Sequence, residues 1–116
     1  MKDKWVNSLN QNHNKYIKAL GDLSTTLKIK PNDTIALKYC GKIYFIIGRY
    51  EKTLEDLTGL LKIESNNTFA LRYRSETYFI LNKYEESHEE VSNLLKIDKT
   101  NAWAVKASNV IVKQWV

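Results

Sequence analysis

Cys40 carries the only thiol in this 116-residue chain, and His13 and His88 are its only imidazoles. A thiol activated by a histidine can act as a nucleophile, and cysteines and histidines at ligand spacing can hold zinc. Neither set is present. Cys40 has no activating histidine beside it, and His88 stands among Glu85, Glu86, Glu89 and Glu90 without a second histidine or cysteine at ligand spacing. There is no glycine loop to cradle a phosphate and no nucleophile elbow. The sequence therefore predicts no enzyme, no metal and no cofactor. Cys40 reads as a buried structural thiol. The four glutamates open a helical stretch, where negative charge complements the helix dipole, and read as a solvated convex face.

The elements that would position any functional side chain are bounded by composition. With 43% hydrophobic and 27% charged residues, one proline and four glycines, the chain is too apolar and too poor in breakers to remain disordered. Its length suits one core or one short array. The longest apolar run, Ile43 to Ile47, is far short of the roughly 20 residues a membrane span needs. Met1-Lys2-Asp3-Lys4-Trp5 leads into polar residues rather than the apolar core of a secretory signal. A single cysteine also fits a reducing compartment. The expectation is an intracellular, cytoplasmic protein with no membrane partner. A net charge of +5 is compatible with an acidic partner.

A fixed period governs the chain. LKIKPNDTIAL begins at Leu27, LKIESNNTFAL at Leu61 and LKIDKTNAWAV at Leu95, a step of 34 residues taken twice. Tyr16, Tyr50 and Tyr84 keep the same step, as do Tyr39 with Tyr73 and Tyr44 with Tyr78. Leu37, Cys40, Gly41 and Tyr44 recur at the spacing of a helix face, and Leu54, Leu57, Leu60 and Leu61 do so after a break at Gly48-Arg49-Tyr50. Each repeat is therefore two helices. Gly48 and Asn82 both suit a left-handed helix end. The turns predict helices near residues 3–11, 14–29, 33–47, 50–63, 67–81, 84–97 and 101–115.

These residues resemble the tetratricopeptide-repeat family. Leu37, Gly41, Tyr44, Gly48, Tyr50 and Leu57 match its pattern in one repeat, and Leu71, Ser75, Tyr78, Asn82, Tyr84 and Val91 match in the next. Departures are Thr53 and Ser87 where the family prefers alanine, which predicts looser packing, and Ser65 and Lys99 where Pro31 shows the usual proline. The resemblance implies an all-α protein of antiparallel helix-turn-helix repeats stacked into a right-handed superhelix of six to seven helices. Residues 1–13 would be a degenerate first helix and 14–33 the second helix of a partial repeat. Full repeats would occupy 34–67 and 68–101, with a terminal unpaired helix at 102–116. It further implies a scaffold or adaptor that binds protein rather than transforming it.

In the family, the first helix of each repeat lines a concave groove. The implied groove positions are Ile35, Lys38, Lys42 and Phe45, then Phe69, Arg72, Glu76 and Phe79, then Trp103, Lys106, Val110 and Lys113. Five of these are basic, four aromatic and one acidic. Fixed cations attract carboxylates, and aromatic faces supply apolar area at small entropic cost. The expected ligand is an acidic peptide or partner helix. Some relatives clamp the terminal carboxylate of chaperone tails with lysine, asparagine and arginine. Here Lys38 matches the first lysine, but Lys42, Tyr73, Trp103 and Ala107 occupy the other clamp positions. A register starting one repeat earlier, at Lys4 and Ser8, also fails to make the clamp. Single-stranded RNA is the other ligand that a basic, aromatic face allows. The modest charge and the 34-residue repeat weigh against nucleic acid.

The last helix is apolar over much of its circumference. Ile111, Val112, Trp115 and Val116 form an expected open-end interface, because terminal repeats normally present a polar outer face. This reading predicts either a homo-oligomer through the C-terminal helix or a fragment of a longer array.

Overall fold

A computed structural model gives the backbone of residues 2–116 and the side-chain surroundings of residues 11–116. Six helices follow one another: α1 (Lys2–Ile29), α2 (Thr34–Ile46), α3 (Tyr50–Ile63), α4 (Thr68–Ile80), α5 (Tyr84–Ile97) and α6 (Ala102–Trp115). Among the described residues, no helix is long and apolar enough to cross a membrane. The helices expected near 3–11 and 14–29 are one uninterrupted helix. Asn10-Gln11-Asn12-His13-Asn14 is polar but contains neither proline nor glycine, so nothing there forces the chain out of the helix. The side chains of Lys4, Trp5 and Ser8 lie outside the described residues.

The 34-residue step is reproduced in local chemistry. Asp33, Asn67 and Asn101 each cap a helix, their side chains accepting hydrogen bonds from the backbone N–H of Ala36, Ala70 and Ala104 at 2.9 Å. Each cap satisfies a donor that the first helical turn leaves unpaired, a contribution of about 1 kcal/mol. At the other end of α2, Gly48 adopts φ +82°, Gly48 N donates to Phe45 O and Arg49 N donates to Tyr44 O. Asn82, at φ 63°, closes α4 with the same two bonds to Phe79 and Tyr78. This is the helix-closing pair of bonds that a left-handed residue permits. The chain is thereby turned so that α3 packs on α2 and α5 on α4.

Close approach explains the small residues. A methyl group on Gly41 would lie 2.6 Å from Leu57 Cδ2, and Leu57 is fully buried. At the corresponding place in the next pair, Ser75 Oγ donates to Ser87 O at 3.0 Å, and Ser87 Oγ donates to Ser75 O at 2.8 Å. Thr53 Oγ1 bonds Arg49 O at 3.2 Å. The hydroxyls at 53 and 87 therefore do not loosen the packing, because each is buried with a partner. The main core joins Leu37, Leu57, Leu60, Leu71, Val91, Leu94 and Ala104, and a smaller one joins Leu20, Cys40 and Ile43 beneath α1. Cys40 is buried, as its sequence context predicts.

Glu90 corrects the reading of the acidic run as a solvated face. It is 5% exposed, and its two carboxylate oxygens accept from Arg74 Nε and Nη2, both at 2.8 Å. A carboxylate can be buried at this depth because a guanidinium answers both oxygens.

Candidate functional site

The caps and turns place α2, α4 and α6 at equivalent positions, so every inner-face position recurs at the 34-residue step. Lys38 Nζ lies 4.7 Å from the Phe69 ring centre, and Arg72 Cζ lies 4.9 Å from that of Trp103. Each cation thus belongs to one inner helix and its ring to the next. Arg72 Nε also donates to Glu76 Oε1 at 3.4 Å, across one turn of α4. Neither Lys38 nor Lys42 has an acidic partner among the described residues.

Aromatic contacts hold this face. Phe45 meets Tyr73 edge-on at 5.3 Å, and Phe69 meets Tyr73 at 4.6 Å. Phe45 also rests on the turn residue Tyr50 at 5.8 Å, and Phe79 on Tyr84 at 5.4 Å. Edge-to-face pairs at these separations are favourable beyond the area they bury. Tyr73 is the residue that sequence reasoning undervalued. Its 34-residue relation to Tyr39 is visible, but nothing local marks it as the point where Phe45 and Phe69 meet.

Next to these rings lies a cavity of about 360 Å³. Of the expected groove residues, Phe45, Glu76, Phe79, Trp103, Lys106 and Val110 line it, joined by Ser75, Ile80, Ser87, Ala107 and Ile111. Lys38, Phe69 and Arg72 belong to the adjoining cation and ring contacts. Ile35, at 67% exposure, Lys42 and Lys113 do not line the cavity. The arrangement offers an apolar recess with one lysine and one carboxylate at its walls and further cations along the neighbouring inner helices.

The expected open end divides. Val112, Trp115 and Val116 are exposed, and the Trp115 ring lies 5.7 Å from that of His88. Ile111 is 3% exposed and belongs to the main core, so it leaves the set. It shares with Ala104 and Ala107 the face that α6 turns toward α5, at seven- and four-residue spacing. The opposite situation holds at Val105, which is 45% exposed although its counterpart Leu71 is 3% exposed. α3 and α5 cover that face on α2 and α4, whereas no described helix covers it on α6.

No protein-family model matches the chain, and no curated protein matches it in sequence. Solved structures do match its fold. The first TPR of Spaghetti (RPAP3), solved with the HSP90 peptide SRMEEVD, superposes with a TM-score of 0.81 at 20% identity, over 97% of this chain and 87% of that one. The second TPR domain of human RPAP3, in complex with the HSP70 peptide SGPTIEEVD, gives a TM-score of 0.78 at 19% identity, over 95% and 90% of the two chains. MamA gives 0.84 at 16% identity, and this chain spans 61% of its length. A 34-residue sequence period, helix pairs closed by the same turns and caps, and these structural neighbours together show that the chain has the tetratricopeptide-repeat fold.

Proposed function

We propose that this chain is a protein-interaction module that seats an acidic peptide or partner helix along the inner faces of α2, α4 and α6. The observation that carries the reading is the cavity among Phe45, Phe79, Trp103 and Val110, flanked by Lys106 and by cations held over aromatic rings. An apolar side chain of the ligand enters the cavity, and its carboxylates meet Lys38, Lys42, Arg72, Lys106 and Lys113. Two structures of similar fold hold peptides ending in EEVD, which supports an acidic ligand. The chaperone clamp is not part of the proposal, because Lys42, Tyr73, Trp103 and Ala107 stand at its remaining positions. Orientation comes instead from charge along the groove and one apolar anchor.

A pull-down from cell extract at low salt tests the reading, comparing the wild-type chain with the double substitution Lys42→Glu and Arg72→Glu. Loss of the captured proteins is expected. Unchanged recovery would refute an acidic groove ligand, and preferential recovery of RNA would replace it with a nucleic-acid partner.

A further inference from the structure

Four residues of α1, α2 and α3 have counterparts one 34-residue period later: Ser24 with Thr58, Cys40 with Arg74, Tyr44 with Tyr78, and Asp56 with Glu90. Those counterparts build a complete guanidinium site. Arg74 donates to both oxygens of Glu90 at 2.8 Å and to Thr58 Oγ1 at 3.2 Å, and its Cζ lies 6.0 Å from the Tyr78 ring centre. One period earlier, the hydroxyl, the ring and the carboxylate are present in Ser24, Tyr44 and Asp56, but the Cys40 thiol stands in place of the arginine. All four residues line a cavity of about 260 Å³ between α1, α2 and α3.

The acceptors there are not already satisfied by a cation. No ion pair involves Asp56 among the described residues. Lys52, at the rim, has its Nζ 3.7 Å from Glu55 Oε2, and both side chains are largely exposed. Lys28 also lines the cavity without an ion pair to it. Burial, and secondarily the Glu55 charge, push the Asp56 carboxyl up to about 6, despite the opposing effect of Lys52. A cation seated beside Asp56 would offset that burial. The volume of about 260 Å³ lies just below the range of drug-sized ligand sites, which run from about 300 Å³ upward, and suits a small group on a short stem.

We infer that this cavity binds a guanidinium group, seated between the Asp56 carboxylate and the Ser24 hydroxyl and against the Tyr44 ring, where Arg74 sits one repeat later. A planar fork of donors answers a carboxylate at two points and stacks on an aromatic face, whereas an ammonium ion does neither. The guanidinium comes either from a small free molecule or from an arginine of another protein. The site shares no lining residue with the cavity between α4 and α6, so it stands or falls independently of the groove.

Ethylguanidinium and ethylammonium chlorides, titrated at matched ionic strength while backbone amide shifts are followed by NMR, test the inference. Saturable shifts are expected around residues 24, 44 and 56 with ethylguanidinium, and about fivefold weaker binding with ethylammonium. Asp56→Asn should abolish the saturable response. Cys40→Arg should abolish it too, by supplying its own guanidinium, and circular dichroism would verify that both variants fold. If Cys40→Arg fails to fold, Asp56→Asn decides alone. An acetyl-Gly-Arg-Gly amide arm separates the two sources: tighter binding than ethylguanidinium supports a partner's arginine, and weaker binding supports a small free guanidinium. Equal responses to the two simple cations, no saturable response, or a response retained in Asp56→Asn would overturn the inference.

Discussion

The Lys38 ammonium stands 4.7 Å from the centre of the Phe69 ring, and 34 residues further on Arg72 stands 4.9 Å from the Trp103 ring. The packing of one repeat on the next therefore also fixes where positive charge sits on the inner face. A cation on an exposed ring is stabilised by about 0.5–1 kcal/mol. That is small beside the stability of a fold, yet sufficient to bias a flexible side chain toward one direction.

Removing a ring should therefore weaken binding without unfolding the array. Phe69→Leu and Trp103→Leu are each expected to lower affinity for an acidic peptide about two- to fivefold, the equivalent of one such contact. Fluorescence anisotropy reads the affinity, and circular dichroism checks that helix content is retained.

The Arg74–Glu90 pair carries a different kind of charge, one committed to the core. Arg74→Met leaves Glu90 buried without its donor and should lower stability by about 3–5 kcal/mol in urea unfolding. Replacing both with Met removes the stranded charge and should restore much of that loss. A single substitution no more costly than the double one would show that the pair is not coupled as its geometry indicates.

The burial of Asp56 sets the sign of a pH dependence in the fold. Its carboxyl is raised from 3.8 to about 6 on folding, first by burial and then by Glu55. The folded chain thus favours the protonated form. Its stabilising contribution is complete below the unfolded value and is lost as pH rises through the folded value. Asp56→Asn should raise the melting temperature at pH 7 and flatten the decline between about pH 4 and pH 6. Thermal melts over that range give the comparison, and parallel curves for the two proteins would contradict it.

Cys40 should be chemically quiet. Burial, with a further contribution from Asp56, pushes its thiol up to about 11, so very little thiolate exists near neutral pH. Alkylation by iodoacetamide at neutral pH should be slow in the folded chain and rise in step with urea unfolding. Rapid labelling under native conditions would show the thiol to be accessible.

The architecture is readable because each repeat solves the same local problem with the same residue chemistry. Asp33, Asn67 and Asn101 announce helix starts, and Gly48 and Asn82 announce left-handed stops. Site residues at repeat-equivalent positions follow from that register, which is how Phe45, Phe79, Trp103 and Lys106 are legible as neighbours of one recess. What escapes a linear reading depends on contacts between helices. Glu90 belongs to a glutamate run, and only its partner sixteen residues earlier explains its burial. Ile111 and Val112 are adjacent and equally apolar, but only the first faces α5. The uninterrupted α1 has a similar cause, since polar residues weaken a helix signal without supplying a stop.

The most direct test of the proposed groove is the affinity of an acidic peptide with one apolar anchor, acetyl-EDELEDE amide, for the wild-type chain and for Lys42→Glu/Arg72→Glu, measured by anisotropy across a salt series. The account predicts binding that weakens as salt rises. It also predicts a loss of about tenfold or more in the double variant, equivalent to 1.4 kcal/mol, and poorer binding of the neutral analogue acetyl-QNQLQNQ amide. Equal affinity for the acidic and neutral peptides, or an unchanged affinity in the double variant at low salt, would contradict it.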